Sequence, residues 1–244
     1  MPRRHLVAEG IELVGDSIPA GLVGGDYFGV WQPAPDSLHF CVADVSGKGT
    51  PGALIAAMLY ASVSTLSGSN NSPDLILSNV ETILHDQLGE GHYVTIFYGV
   101  LDLRTRVLNF VNAGHCPPIL RRHDGAIELL SSTRPVLGLM LDGGFRSERL
   151  RLSAGDRLLL YTDGVTEATN AAGEEFGTDR LAALLERAPD VALPHQHAFI
   201  MDNVGSHSGG NFADDATLLL ISIAATSSAA VAKSSAPAHS ATEP

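Results

Sequence analysis

The chain has 244 residues, a mass of 25.6 kDa, 45% hydrophobic residues and a formal net charge of −12. That composition supplies a sizeable core for one large domain or two small ones. With 15 Lys and Arg against 27 Asp and Glu, and lysine only at Lys48 and Lys233, it offers no basic patch, which argues against nucleic acid or an anionic membrane surface as partner. Cys41 and Cys116 are too few for a disulfide framework, and no apolar run follows the N-terminal Met1-Pro2-Arg3-Arg4-His5. The longest apolar stretch, about Gly52 to Val63, falls short of the ~18 residues that suggest a membrane span. The expectation is a reduced, soluble, cytoplasmic protein.

In chain order, Leu38–Ala43 reads as a buried strand running straight into Asp44. Pro51 to Ser64 is apolar on nearly every face and predicts a buried helix, with Thr50 as its cap and Pro51 at its first position. Ser72-Pro73-Asp74 opens a second helix to about Leu88, apolar through Leu75, Leu77, Val80, Ile83, Leu84 and Leu88 and polar through Ser78, Asn79, Glu81 and Thr82. Segments 93–103 and 107–111 predict a hairpin about the turn at Asp102 and Arg104. Ile119–Leu120 and Ile127–Leu130 flank a second turn at His123-Asp124-Gly125. Arg149–Leu152 alternates, Ala154-Gly155-Asp156 turns into a strand over Arg157–Thr162, Thr178–Arg187 is a short amphipathic helix, and Ala216–Ile223 is a last apolar strand. The fold is expected over residues 1–224, and residues 225–244, rich in Ala, Ser, Thr and Pro, are expected to be a disordered tail. Many antiparallel strands, a few helices and no alternating βαβ units point to an α+β layered domain.

Several aspartates share one local setting. Asp26 follows Gly24-Gly25, Asp44 ends an apolar strand, Asp163 ends another before Gly164, and Asp214-Asp215 precede the last strand. Carboxylates at strand ends can converge on one sheet edge with their backbones held rigid, and an all-oxygen set suits hard divalent cations. Asp beside Gly is also a common turn, so each alone carries little. His115-Cys116-Pro117-Pro118-Ile119-Leu120-Arg121-Arg122 matches the H-C-x₅-R pattern of cysteine-based phosphatases. Its two prolines delete backbone donors that such a phosphate loop needs. A core or turn cysteine is the better reading. Gly47-Lys48-Gly49-Thr50 lacks the full nucleotide-loop pattern, but Lys48 stands before a helix N-terminus, a place suited to an anion.

Val23-Gly24-Gly25-Asp26-Tyr27, Ala43-Asp44-Val45-Ser46-Gly47-Lys48-Gly49, Asn112-Ala113-Gly114-His115, Ala154-Gly155-Asp156, Tyr161-Thr162-Asp163-Gly164-Val165-Thr166-Glu167 and Asp214-Asp215-Ala216-Thr217 occur in this order. The set resembles the SpoIIE-like branch of the PPM (2C-type) serine/threonine protein phosphatases, over roughly Glu12 to Ile223. The resemblance implies an α-β-β-α sandwich of two antiparallel sheets with helices outside. It implies two Mn²⁺ or Mg²⁺ ions at one edge, with Asp44 bridging both, Asp163 and Asp214 on the first, and Asp26 and the Val45 carbonyl on the second. It implies hydrolysis of a phosphoserine or phosphothreonine monoester by a metal-activated water, without a covalent intermediate. The substrate implied is a phosphorylated STAS-domain anti-sigma-factor antagonist in a partner-switching pathway. The alternative is a non-catalytic interaction module of the same fold. Ser46 stands near the position where eukaryotic relatives carry a histidine, so the proton donor is unassigned. His115 is expected to be structural or to support a ligand. The short stretch before Asp26 resembles the stand-alone feedback phosphatases or one domain of a longer protein.

Overall fold

The computed structural model describes residues 4–21, 24–47, 49–68, 71–85, 87–88, 91–139, 144–189 and 191–224; Lys48 and the expected tail at 225–244 lie outside them. Eleven strands and five helices follow one another among the described residues: β1 (Arg4–Ala8), β2 (Ile11–Ile18), β3 (Tyr27–Ala34), β4 (Ser37–Val45), α1 (Thr50–Leu66), α2 (Pro73–His85), β5 (Val94–Asp102), β6 (Val107–Ala113), β7 (Ile119–Arg121), β8 (Ile127–Leu129), β9 (Glu148–Arg151), β10 (Arg157–Tyr161), α3 (Asp163–Thr166), α4 (Thr178–Arg187), α5 (Leu193–His207) and β11 (Ala216–Ile223). One sheet runs β1-β2-β11-β10-β7-β8 and the other β3-β4-β5-β6-β9, with antiparallel pairing throughout. The two sheets face each other, which is the expected α-β-β-α sandwich.

Three cores follow from the strand alternation. Between the sheets lie Phe28, Phe40, Phe97, Phe110, Leu160 and Leu219, with the Phe97 and Phe110 rings stacked at 5.2 Å. Period-2 alternation sends the other faces outward, where α1 and α2 cover one sheet and α4 and α5 the other. The β5–β6 turn closes as its composition predicts: the Asp102 carboxylate accepts the N–H groups of Arg104 and Thr105 at 2.9 and 2.8 Å.

Three details of the helices differ from expectation. α1 is not buried all round: Ile55, Leu59 and Val63 face the sheet, while Leu54 is 63% and Tyr60 44% exposed. The helix lies on the outside of a sandwich, so only one side finds a partner whatever the composition of the other. Its N-cap is Gly49, at φ 81°, not Thr50. In α2, Leu77, Val80 and Leu84 are buried as expected, but Glu81 is buried too and Leu75 and Ile83 are exposed; Glu81 lies 3.9 Å from Arg134, which draws a charged position inward. Strands β1–β3 and helix α5 carry too weak a periodicity to be read ahead of the structure. A polar chain fixes the far end of α1: Ser67 Oγ lies 2.6 Å from Tyr98 Oη, which lies 2.9 Å from His39 Nδ1.

The registers place the site. Tyr27 pairs with Ala43, Tyr161 with Leu218, and Ala216 with Ile18. The end of β2, the start of β3, the ends of β4 and β10 and the start of β11 therefore meet at one edge of the sandwich. The segment between β2 and β3, which carries Asp26, crosses from one sheet to the other there.

Candidate active site

The four aspartate motifs converge through close backbone contacts. A Cβ on Gly25 would lie 2.9 Å from the Val45 carbonyl oxygen, so only glycine lets the Asp26 segment rest on the end of β4. A Cβ on Gly164 would lie 2.1 Å from the Asp215 carbonyl oxygen, so only glycine lets α3, beginning at Asp163, press against the Asp214–Asp215 backbone. Thr162 ties the two halves together. Its Oγ1 donates to Asp26 Oδ2 at 2.6 Å and accepts the Thr217 N–H at 2.9 Å. Asp215 holds the crossing segment, accepting the N–H groups of Ala20 and Gly25 at 2.8 and 2.7 Å, one on each oxygen.

The electrostatics mark the same residues. Asp44 is pushed up to about 7, first by burial and then by Asp163, Asp214, Asp215 and Glu167. Asp26 is pushed up to about 8 by burial, opposed by the hydrogen bond from Thr162 and reinforced by Asp44 and Asp215. Mutual repulsion of this kind places Asp44, Asp163 and Asp214 within one field. Among the described residues, no group of three or more His, Cys, Asp or Glu side chains stands at the spacing of a formed metal site. The carboxylates converge without closing. The donor set still fits a hard divalent cation: it is all oxygen, it is acidic, and a positive ion is what would offset the repulsion its members exert.

The other sequence candidates take different places. The Cys116 thiol is pushed up to about 12, first by burial and then by Asp163 and Asp44, so it stays protonated and is a poor nucleophile. Arg122, the arginine of the H-C-x₅-R match, binds Glu128 and Asp156 instead of a phosphate loop. That reading is overturned. His115 is buried, and burial lowers its pKa to about 4, so the ring is neutral near pH 7. Its Nδ1 lies 2.8 Å from Thr95 Oγ1, and Thr95 is the cross-strand partner of Asp44. His115 therefore braces the end of β4 and is no cationic proton donor. Thr162 was missed as the partner of Asp26, and Asp215 as the pin of the crossing segment. Only their positions inside two aspartate motifs signalled them. Because the Gly164 contact is with backbone, Gly164→Ala must move the Asp214–Asp215 main chain. A displacement near 1 Å costs about 10²-fold in turnover. Wild-type phosphate release by Gly164→Ala would show that this contact does not fix Asp214.

Comparison with known proteins agrees with this architecture. Residues 34–224 match the family Stage II sporulation protein E (SpoIIE). The chain belongs to the SpoIIE family, and its two antiparallel sheets with flanking helices are the PP2C-type (PPM) phosphatase fold. It is 27% identical over 214 residues to phosphoserine phosphatase RsbU of Bacillus subtilis, covering 87% of this chain and 63% of that one. It is 31% identical over 151 residues to phosphoserine phosphatase RsbP of the same organism, covering 60% and 38%. Protein IcfG of Synechocystis is 25% identical over 230 residues, 36% of its length. The chain thus spans between about a third and under two thirds of these relatives. Among solved structures, the RsbU and RsbW domains of a Mycobacterium tuberculosis protein superpose with a TM-score of 0.78 at 25% identity, covering 91% of this chain and 63% of that one. The PP2C domain of SiaA from Pseudomonas aeruginosa gives 0.75 at 25% identity, covering 87% and 85%.

Proposed function

We propose that this chain is a metal-dependent protein-serine/threonine phosphatase that hydrolyses a phosphomonoester on a phosphorylated STAS-domain anti-sigma-factor antagonist. The observation that carries the reading is the convergence of Asp26, Asp44, Asp163 and Asp214 at one sandwich edge, in a field that raises the Asp26 and Asp44 pKa values. Two relatives are phosphoserine phosphatases, and one structural relative joins an RsbU domain to an RsbW domain, which supports a regulatory phosphoprotein as substrate. Relatives of the same fold were crystallised with magnesium and with two manganese ions.

Two Mn²⁺ or Mg²⁺ ions would be held by Asp44 between them, by Asp163 and Asp214 on one side, and by Asp26 and the Val45 carbonyl on the other. When bound, such ions activate water at neutral pH and offset charge on phosphoryl oxygens. The chain's own residues do the rest. Thr162 orients Asp26, Asp215 locks the crossing segment, His115 braces Thr95 opposite Asp44, and Lys48 would meet the substrate phosphate. Neutral His115 and protonated Cys116 supply neither a cationic acid nor a nucleophile.

The test is phosphate release from an aryl phosphate and from a phosphorylated STAS-domain protein, with Mn²⁺ or with EDTA. Release from both in Mn²⁺ and from neither in EDTA is expected. Turnover that persists in EDTA would sink the reading. Binding of the STAS-domain protein without any turnover would favour an interaction module instead.

A further inference from the structure

Beside Asp26 the surface opens into a pocket of about 330 Å³. Its walls come from two parts of the fold: Ser17 near the end of β2, Pro19, Gly24 and Asp26 from the segment that crosses between the sheets and Tyr27 at the start of β3 on one side, and Ala56, Ala57 and Tyr60 from α1 on the other. Asp26 is the one charged residue in its lining. Gly24 adds only backbone, and the Ser17 hydroxyl already accepts a hydrogen bond from Thr217 Oγ1 at 2.9 Å. The other five present methyl groups, a pyrrolidine ring and two phenol rings, the phenols packed edge to face at 5.4 Å. The space exists because α1 carries alanine at two successive positions where its exposed side meets the crossing segment. A second opening at the site has opposite chemistry: the cleft containing Asp214 is also lined by Glu167 and Glu175.

We propose that the apolar pocket seats an uncharged, apolar side chain of the phosphoprotein, a few residues from its phosphorylated Ser or Thr, and so selects which phosphoproteins the site accepts. This inference rests on the phosphatase reading above and deepens it. Asp26 belongs both to the candidate metal set and to the pocket wall, so a chain that delivers a phosphate to Asp44 passes the pocket mouth. The remaining surroundings favour this occupant. A chain of net charge −12, with Asp163, Asp214, Asp215 and Glu167 acting on Asp44, repels an acidic flanking sequence. Affinity beyond the phosphate must then come from an uncharged contact. Burial of one leucine-sized side chain supplies roughly tenfold to a hundredfold in affinity.

The experiment uses the full chain with Mn²⁺ and a set of phosphoserine peptides on an alanine background. A single leucine is walked through the four positions on either side of the phosphoserine, and each kcat/KM is divided by that for an aryl phosphate. Leucine at one or two positions is expected to raise the ratio about tenfold or more, through KM. Ala57→Trp, which fills the pocket, erases that preference, and Tyr60→Ala, which removes a wall, weakens it. A flat leucine scan, or a preference that survives both substitutions, overturns the proposal. Absence of turnover of every substrate by the wild type would instead defeat the phosphatase reading. The pocket is then decided by fluorescence anisotropy of the labelled leucine peptides. About tenfold weaker binding to Ala57→Trp supports it, and equal binding overturns it.

Discussion

In Mn²⁺, Asp44→Asn is expected to lose at least about 10³-fold of its phosphate release. Metal ions at such a site supply several kcal/mol to the transition state, and each 1.4 kcal/mol is about tenfold. Asp44 is the residue on which Asp163, Asp214, Asp215 and Glu167 all act, so it stands where the negative field is concentrated. An amide there keeps the shape and removes the charge. The same change should raise the melting temperature in EDTA, because it takes a partly buried carboxylate out of a cluster of like charges. Added Mn²⁺ should stabilise the wild type and leave the variant nearly unmoved. A variant that keeps its turnover, or that melts below the wild type in EDTA, would show that Asp44 is not the centre of the site.

Asp156→Ala should cost stability and leave turnover per folded molecule within about threefold. Asp156 is fully buried, and its carboxylate accepts the Ser153 and His123 N–H groups at 2.9 and 3.0 Å and the Arg122 guanidinium at 3.0 Å. Arg122 is further held by Glu128 and by the Arg151 carbonyl oxygen. Arg122 keeps Glu128, so the cost lies in the lost charge-assisted hydrogen bond and in the Ser153 and His123 N–H groups left without their acceptor, about 3 kcal/mol in all. For a domain of this size that is a fall of about 10 °C in melting temperature. Asp156 and Asp163 bracket β10 from opposite ends, so the loss should not reach the candidate metal edge. A melting temperature within about 2 °C of wild type, equivalent to about half of one kcal/mol, would mean that the Ser153 and His123 amides and Arg122 find water or Glu128 sufficient.

These two aspartates look alike in the chain, each beside a glycine at a strand end. One sits at the candidate site and the other staples the far corner of the same sheet. Spacing does not separate them; the antiparallel run of β10 does, because it carries Asp156 and Asp163 to opposite edges. Asp214 and Asp215 show the same limit at closer range. They are adjacent, yet the Asp215 oxygens are committed to the Ala20 and Gly25 amides, some 190 residues earlier in the chain.

What the chain order determined is local and periodic. The strands β4 to β7, β10 and β11 and the helix α4 were legible because alternation, turn residues and caps act over a few residues. The aspartate motifs were legible because each sits at the end of such an element. What the tertiary structure decided are the pairings across long sequence distances. α1 has an apolar composition all round, but the sandwich offers it one face, so Leu54 and Tyr60 stay exposed and Ala56 and Ala57 line a pocket. Glu81 turned inward because Arg134 waits beneath it. Thr162 reached Asp26 because β10 and the crossing segment end at the same edge. Each of these depends on which surface packs against which, and a residue's own neighbours in the chain carry no information about that.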